Sequence, residues 1–228
     1  MKVVKKLPHA KIHSSSGVSE YVVRSVKEAL LINKRIYGRS PGIIDVYVCS
    51  TNGEFNKAAK IRAKAWMTGM TLSDGRLVIK SPSLIEKIGR WKKSMFKNIM
   101  IHEMNHSYWA RLYKPWKPYW LVEGLACHAG KNFIYSKNRM KVMLSKHKVD
   151  YKILAYRFRY KQMKGHEPKY PVWAGFTQYL ISKYSLRHIM RFLDSYNKRP
   201  LRGNYQPTIR RIFKKSEPEL FENYITSL

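Results

Sequence analysis

From Val18 to Gly38 the chain reads VSEYVVRSVKEALLINKRIYG, with apolar side chains recurring every three or four positions. That spacing predicts an amphipathic helix capped by Ser19 and ended by Gly38. The period then changes. GIIDVYVCS, residues 42–50, alternates and is rich in β-branched residues, which predicts a strand. NGEFNKAAKIRAK, residues 52–64, reads as a short helix. AWMTGMTLSDGRLVIKSP, residues 65–82, reads as a hairpin with its turn at Asp74-Gly75 and Pro82 closing it. From Lys92 onward the spacing is helical almost throughout, and predicts helices over 93–113, 119–131, 138–147, 171–184, 186–197, 206–215 and 217–227. Pro115 and Pro118 interrupt the chain between the first two.

A strand-rich first part followed by helices predicts an α+β fold. Residues 1–16 read as a basic N-terminal tail. Residues 17–228 suit one domain, with a strand-rich part over 17–91 and a helical part over 92–228. There is no internal repeat and no low-complexity segment.

Composition adds a constraint on partners. Hydrophobic residues make up 44% of the chain, enough for a packed core, but the formal net charge is +31. A field of that sign attracts nucleic acid, anionic lipid or acidic protein. The densest stretch is 131–164, with eleven Lys or Arg and one acid, Asp150. Within it Tyr156, Arg157 and Arg159 form the segment YRFRY. Basic grooves with aromatic platforms bind single-stranded nucleic acid. The same pattern also fits a solvated basic face with its tyrosines packed inward, which leaves only nonspecific attraction to polyanions. No run approaches the roughly 20 apolar residues of a membrane helix, and the N-terminus lacks the apolar core of a secretory signal. Two cysteines are too few for a disulfide framework, so the expected location is cytoplasmic.

Against this background two acids stand out. Between Asn98 and Ala110 the only charged side chain is Glu103, flanked by His102 and His106 in the pattern HExxH. On a helix the two histidines lie about 40° apart and one turn apart, so both can ligate one zinc ion. Glu103 lies about 100° from His102, able to reach a water on the metal without ligating it. By composition, a chance HExxH match is expected on the order of 0.01 times in such a chain. A catalytic zinc commonly takes three protein ligands and leaves one position to water. Glu123 follows the apolar Trp120-Leu121-Val122 and is hard to explain there without a partner. Small Gly124 and Ala126 would let its helix come close to the first. Zinc would lower the pKa of a bound water from about 15.7 toward about 7. Glu103 would then take the proton and return it to the leaving amine. Tyr170 and His166, in GHEPKYPVW, are candidates to stabilise the oxyanion, and either could equally be a surface or packing residue.

The residues IHEMNH…YWLVEGLA resemble the gluzincin metallopeptidases, in particular the peptidase MA-like domains. Those carry HExxH on one helix and W-x-x-E-G-x-A on the next. The likeness extends over roughly Ile43 to Leu228. It implies a zincin-like fold, a small sheet with an edge strand before the active-site helix, and zinc as cofactor. It also implies His102, His106 and Glu123 as ligands and Glu103 as general base. The sheet edge at Trp66–Thr71, with Gly69 and Met70, would pair with extended substrate. The family often has an acid four residues after the third ligand, where this chain has Cys127. Two other readings compete. CHAGKNF resembles part of the SprT-like proteases that act on DNA-crosslinked proteins, with His128 as third ligand. The chain could instead be a nucleic-acid-binding protein with a non-catalytic metal site.

Overall fold

The computed structural model describes residues 1–64, 66–88, 92–113, 116–149, 151–155, 169–198 and 204–228. The fold is α+β, with one mixed five-stranded sheet and ten α-helices among the described residues. The chain divides into two compact units, Met1–Leu112 and Tyr113–Leu228. The division falls after the helix that carries HExxH, not before it as the change of periodicity near residue 91 suggests.

The first unit contains the sheet. Its elements are β1 (Lys2–Leu7), β2 (Ala10–Ser14), α1 (Glu20–Tyr37), β3 (Ile44–Cys49), α2 (Asn52–Ala59), β4 (Gly69–Thr71), β5 (Leu77–Lys80), α3 (Pro82–Lys87) and α4 (Phe96–Leu112). The strand order is β1-β2-β3-β5-β4. β2 pairs parallel with β3, from Ala10 opposite Ile44 to His13 opposite Tyr47. A parallel pair needs a crossover, and α1 supplies it. The Ser19 hydroxyl accepts from the Val22 amide, and Gly38 ends α1 in the left-handed region at φ 68°. Both ends are therefore where the periodicity places them.

Residues 1–16 are not a tail: β1 and β2 form a hairpin that extends the sheet. In β2, Ala10, Ile12 and Ser14 are buried while Lys11 and His13 between them are half-buried. That alternation is a strand signal, but it is only five residues long. β1 is exposed over most of its length, so it carries Lys2, Lys5 and Lys6 and looks like a charged leader.

β4 is the other edge of the sheet, antiparallel to β5, with Gly69 opposite Ile79 and Thr71 opposite Leu77. The turn between them uses Gly75 at φ 81°. The stem of Arg111 fills the space beside that glycine, with Cδ 2.7 Å from where a Cβ would stand. Pro82 does close β5, and it also opens α3, which Ser81 caps through the Leu84 amide. The unit's core includes Ile12, Val46, Leu77 and Ile79 of the sheet and Phe96, Met100 and Met104 of α4, all fully buried. Each such side chain contributes about 1.5–3 kcal/mol by leaving water.

The second unit is helical: α5 (Tyr119–Gly130), α6 (Lys137–His147), α7 (Lys169–Tyr184), α8 (Leu186–Lys198), α9 (Gln206–Phe213) and α10 (Glu217–Ser227). These bounds differ from those of the hydrophobic pattern by at most two residues at either end. α5 packs on α7. Gly124 makes the close approach: a Cβ there would stand 2.7 Å from the Trp173 carbonyl and also run into Thr177. The small residue thus serves the α5–α7 contact. The Trp120 indole donates to the buried Glu217 carboxylate at 2.5 Å, tying α5 to α10. No described helix is long and apolar enough to cross a membrane.

Candidate metal centre

α4 is apolar on most of its circumference, so its rotation has to be fixed by something more specific than amphipathicity. Buried polar contacts with α1 do this. The Asn105 amide donates to the Asn33 side-chain oxygen at 2.7 Å. Asn33 in turn donates to the carbonyls of Ala29 at 2.9 Å and Ile101 at 3.1 Å. The Tyr37 hydroxyl donates to the Asn105 side-chain oxygen at 3.0 Å. The Tyr108 hydroxyl donates to the Leu30 carbonyl at 3.0 Å. Ile101, Asn105 and Tyr108 therefore face α1, and His102 and His106 lie roughly 110° around the helix from them.

The two imidazoles converge. Nε2 of His102 and Nε2 of His106 are 3.2 Å apart, with the rings edge to face at 87°. Two nitrogens, each about 2.0–2.1 Å from one tetrahedral zinc, stand about 3.3–3.4 Å apart. The pair is therefore spaced to chelate a zinc ion without rearrangement. His102 is 9% and His106 7% exposed.

Glu103 lies beneath β4. A Cβ on Gly69 would fall 2.6 Å from Glu103 Cγ and 3.1 Å from its Oε1. Two residues further on, the Thr71 hydroxyl donates to the Glu103 carbonyl at 2.9 Å and lies 3.4 Å from the Ser107 hydroxyl. Met70, between them on the opposite face of the strand, packs against the cluster of Cys49, Phe55, Ala59 and Val78. Of the two sheet-edge residues singled out from the sequence, Gly69 touches the candidate base while the Met70 side chain belongs to the core.

Glu123, on α5, is 9% exposed. His102, His106 and Glu123 each offer one ligand atom, and these atoms lie within 4.8 Å of one another, a candidate metal-binding triad. Two imidazoles and a carboxylate are a donor set that zinc takes. His128 is not one of the three. Its buried Nδ1 has no hydrogen-bond partner, and burial holds its pKa below the usual imidazole value. Cys127, one turn after Glu123, is a buried free thiol whose pKa burial pushes well up, with the Glu123 charge adding to the effect.

The other candidates are less tied to the site. The Tyr170 ring stacks on Phe133 at 5.4 Å and meets Trp173 edge-on at 5.7 Å, which is a packing environment. His166, Tyr156, Arg157 and Arg159 lie outside the described residues. Tyr135 is covered by the Arg139 guanidinium, 3.8 Å from its ring centre. The sequence reading missed Asn33, Asn105, Thr71 and Glu217. Asn33 alone carried a signal, as a polar residue between Leu30 and Tyr37 on the apolar face of α1.

No protein-family model matches the chain, and no curated protein matches it.

Proposed function

We propose that this protein is a zinc-dependent metallopeptidase of the gluzincin type, with a zincin-like fold, acting in the cytoplasm. The observation that carries the reading is the pair of imidazole nitrogens 3.2 Å apart on α4, with the Glu103 side chain one position on, against the edge strand. His102, His106 and Glu123 would hold the zinc. The ion supplies Lewis acidity toward a peptide carbonyl and toward water. Glu103 accepts a proton from the attacking water at its carboxylate and delivers it to the leaving amine. β4 is an edge of the sheet among the described residues, and an extended substrate can align along such an edge, a mode that selects for conformation more than for sequence.

The test is zinc content together with hydrolysis of a mixed peptide library by the parent and by Glu103→Gln. The parent should bind one zinc and cleave peptides. The variant should keep its zinc and lose turnover by about two orders of magnitude or more, the scale of a lost general base. Zinc binding without cleavage by the parent would favour a non-catalytic metal site instead.

A further inference from the structure

We propose that β4 positions the Glu103 carboxylate, with Gly69 leaving the space that the side chain occupies and Thr71 fixing the strand to the helix at that residue. The proposal rests on the reading of Glu103 as general base.

Gly69 is not a glycine for the sake of its backbone. Among the described residues the glycines in left-handed conformation are Gly17, Gly38, Gly42 and Gly75, and Gly69 is not among them. A glycine inside a strand weakens it and often marks close approach of another group. Here that group is the side chain of Glu103. A Cβ at position 69 would lie 2.6 Å from Cγ, 2.9 Å from Cδ and 3.1 Å from Oε1. Ordinary carbon–carbon contact is about 3.5–4.0 Å. The carboxylate arm of Glu103 thus occupies the volume that any other residue at 69 would fill. Thr71 is on the same face of the strand, two residues along. Its hydroxyl donates to the Glu103 carbonyl at 2.9 Å. Both residues on this face of the three-residue strand therefore address one residue of α4, Gly69 its side chain and Thr71 its backbone. Placement at this level matters, because a displacement of about 1 Å can cost on the order of 100-fold in rate.

Gly69→Ala has a specific expected outcome. The backbone tolerates alanine, and the atoms in the way belong to a flexible side chain, so the carboxylate moves while strand and helix stay. The variant should fold, bind zinc with parental affinity, and show kcat lowered about 10- to 100-fold with KM within about twofold. Glu103→Asp shortens the arm by one methylene and relieves the collision. Made in the parent it should lower turnover, but made in Gly69→Ala it should raise turnover above that of Gly69→Ala alone. Strictly multiplicative losses in this cycle would overturn the proposal. Thr71→Val, which keeps the shape and removes the hydroxyl, should lower kcat with zinc affinity unchanged, and Thr71→Ser should restore it. A readout without turnover comes from crystal structures of the zinc-loaded parent and Gly69→Ala. They should show the Glu103 carboxylate displaced by about 1 Å or more, the distance on which the rate argument rests. An unmoved carboxylate sinks the idea. If the parent cleaves no peptide, the proposed function fails while the crystallographic comparison still decides whether Gly69 places the side chain.

Discussion

Asn105 and Asn33 meet side chain to side chain at 2.7 Å in the buried contact between α1 and α4. Asn105 lies inside the HExxH segment, yet it points away from the histidines and into the first unit. The pair sets which way the histidines face. Replacing Asn33 by Leu leaves the Asn105 amide buried without its acceptor, which should cost about 1–3 kcal/mol of stability. Replacing both by Leu should cost less than the sum of the two single changes. Urea denaturation of the four proteins measures this, and additive losses would mean that the two side chains do not act as a unit.

Metal affinity distinguishes the two candidates for third ligand. His102→Ala, His106→Ala and Glu123→Ala should each weaken zinc binding by at least about 100-fold, since each removes a direct donor. His128→Ala should bind as the parent does. Competition against a chromogenic chelator reads all four. Parental affinity in Glu123→Ala together with loss in His128→Ala would reverse the assignment.

Glu217 gives a pH dependence with a definite sign. Its carboxylate is 4% exposed and accepts from Trp120, from Gln206 at 2.6 Å and from Tyr205 at 3.3 Å, all neutral donors. Burial raises its pKa above the ordinary 4.5, the three hydrogen bonds opposing that only in part. A raised carboxyl pKa contributes stability that is fully present below the unfolded value and lost as pH rises through the folded value. The thermal midpoint of the parent relative to Glu217→Gln should therefore fall as pH is raised from about 4 toward neutrality. A difference that grows in the parent's favour would show that the anion is the preferred form.

Polyanion binding should be electrostatic and only weakly selective. α6 carries Lys137, Arg139, Lys141 and Lys146, all exposed, and no acid. In a salt titration with single- and double-stranded oligonucleotides, log K should fall by about 0.7–0.9 per phosphate contact per decade of salt. Lys141→Gln with Lys146→Gln should reduce that slope by about one to two contacts and leave zinc content unchanged. A strong preference for single strands would point instead to base stacking on exposed tyrosines.

Long elements were legible in the sequence because their apolar period runs for three turns or more. α1 shows this best, with Ser19 and Gly38 marking both ends. The convergent histidine pair was legible because i and i+4 on one helix need no knowledge of the fold. What failed depends on tertiary context. β1 and β2 are short and lysine-rich, and nothing local says that Ala10 and Ile12 will face a core. Gly124 signals a close approach, but its neighbours are Trp173 and Thr177 of α7 rather than the HExxH helix, because a glycine does not name what comes near it. In the sequence Gly69 is one residue of a sheet edge, and only the position of Glu103 gives it a steric role.

The N-terminal hairpin has a practical consequence. β1 and β2 cover the side of β3 opposite β5. If residues 1–14 were trimmed, the segment IDVYVC would become an open edge, largely β-branched and free of lysine, with Asp45 as its one charge. Unguarded edges of that composition seed intermolecular pairing. Lys2, Lys5 and Lys6 on β1 repel a second copy at the same position in the intact chain. A shortened chain would therefore be expected to precipitate on storage even where its helices form.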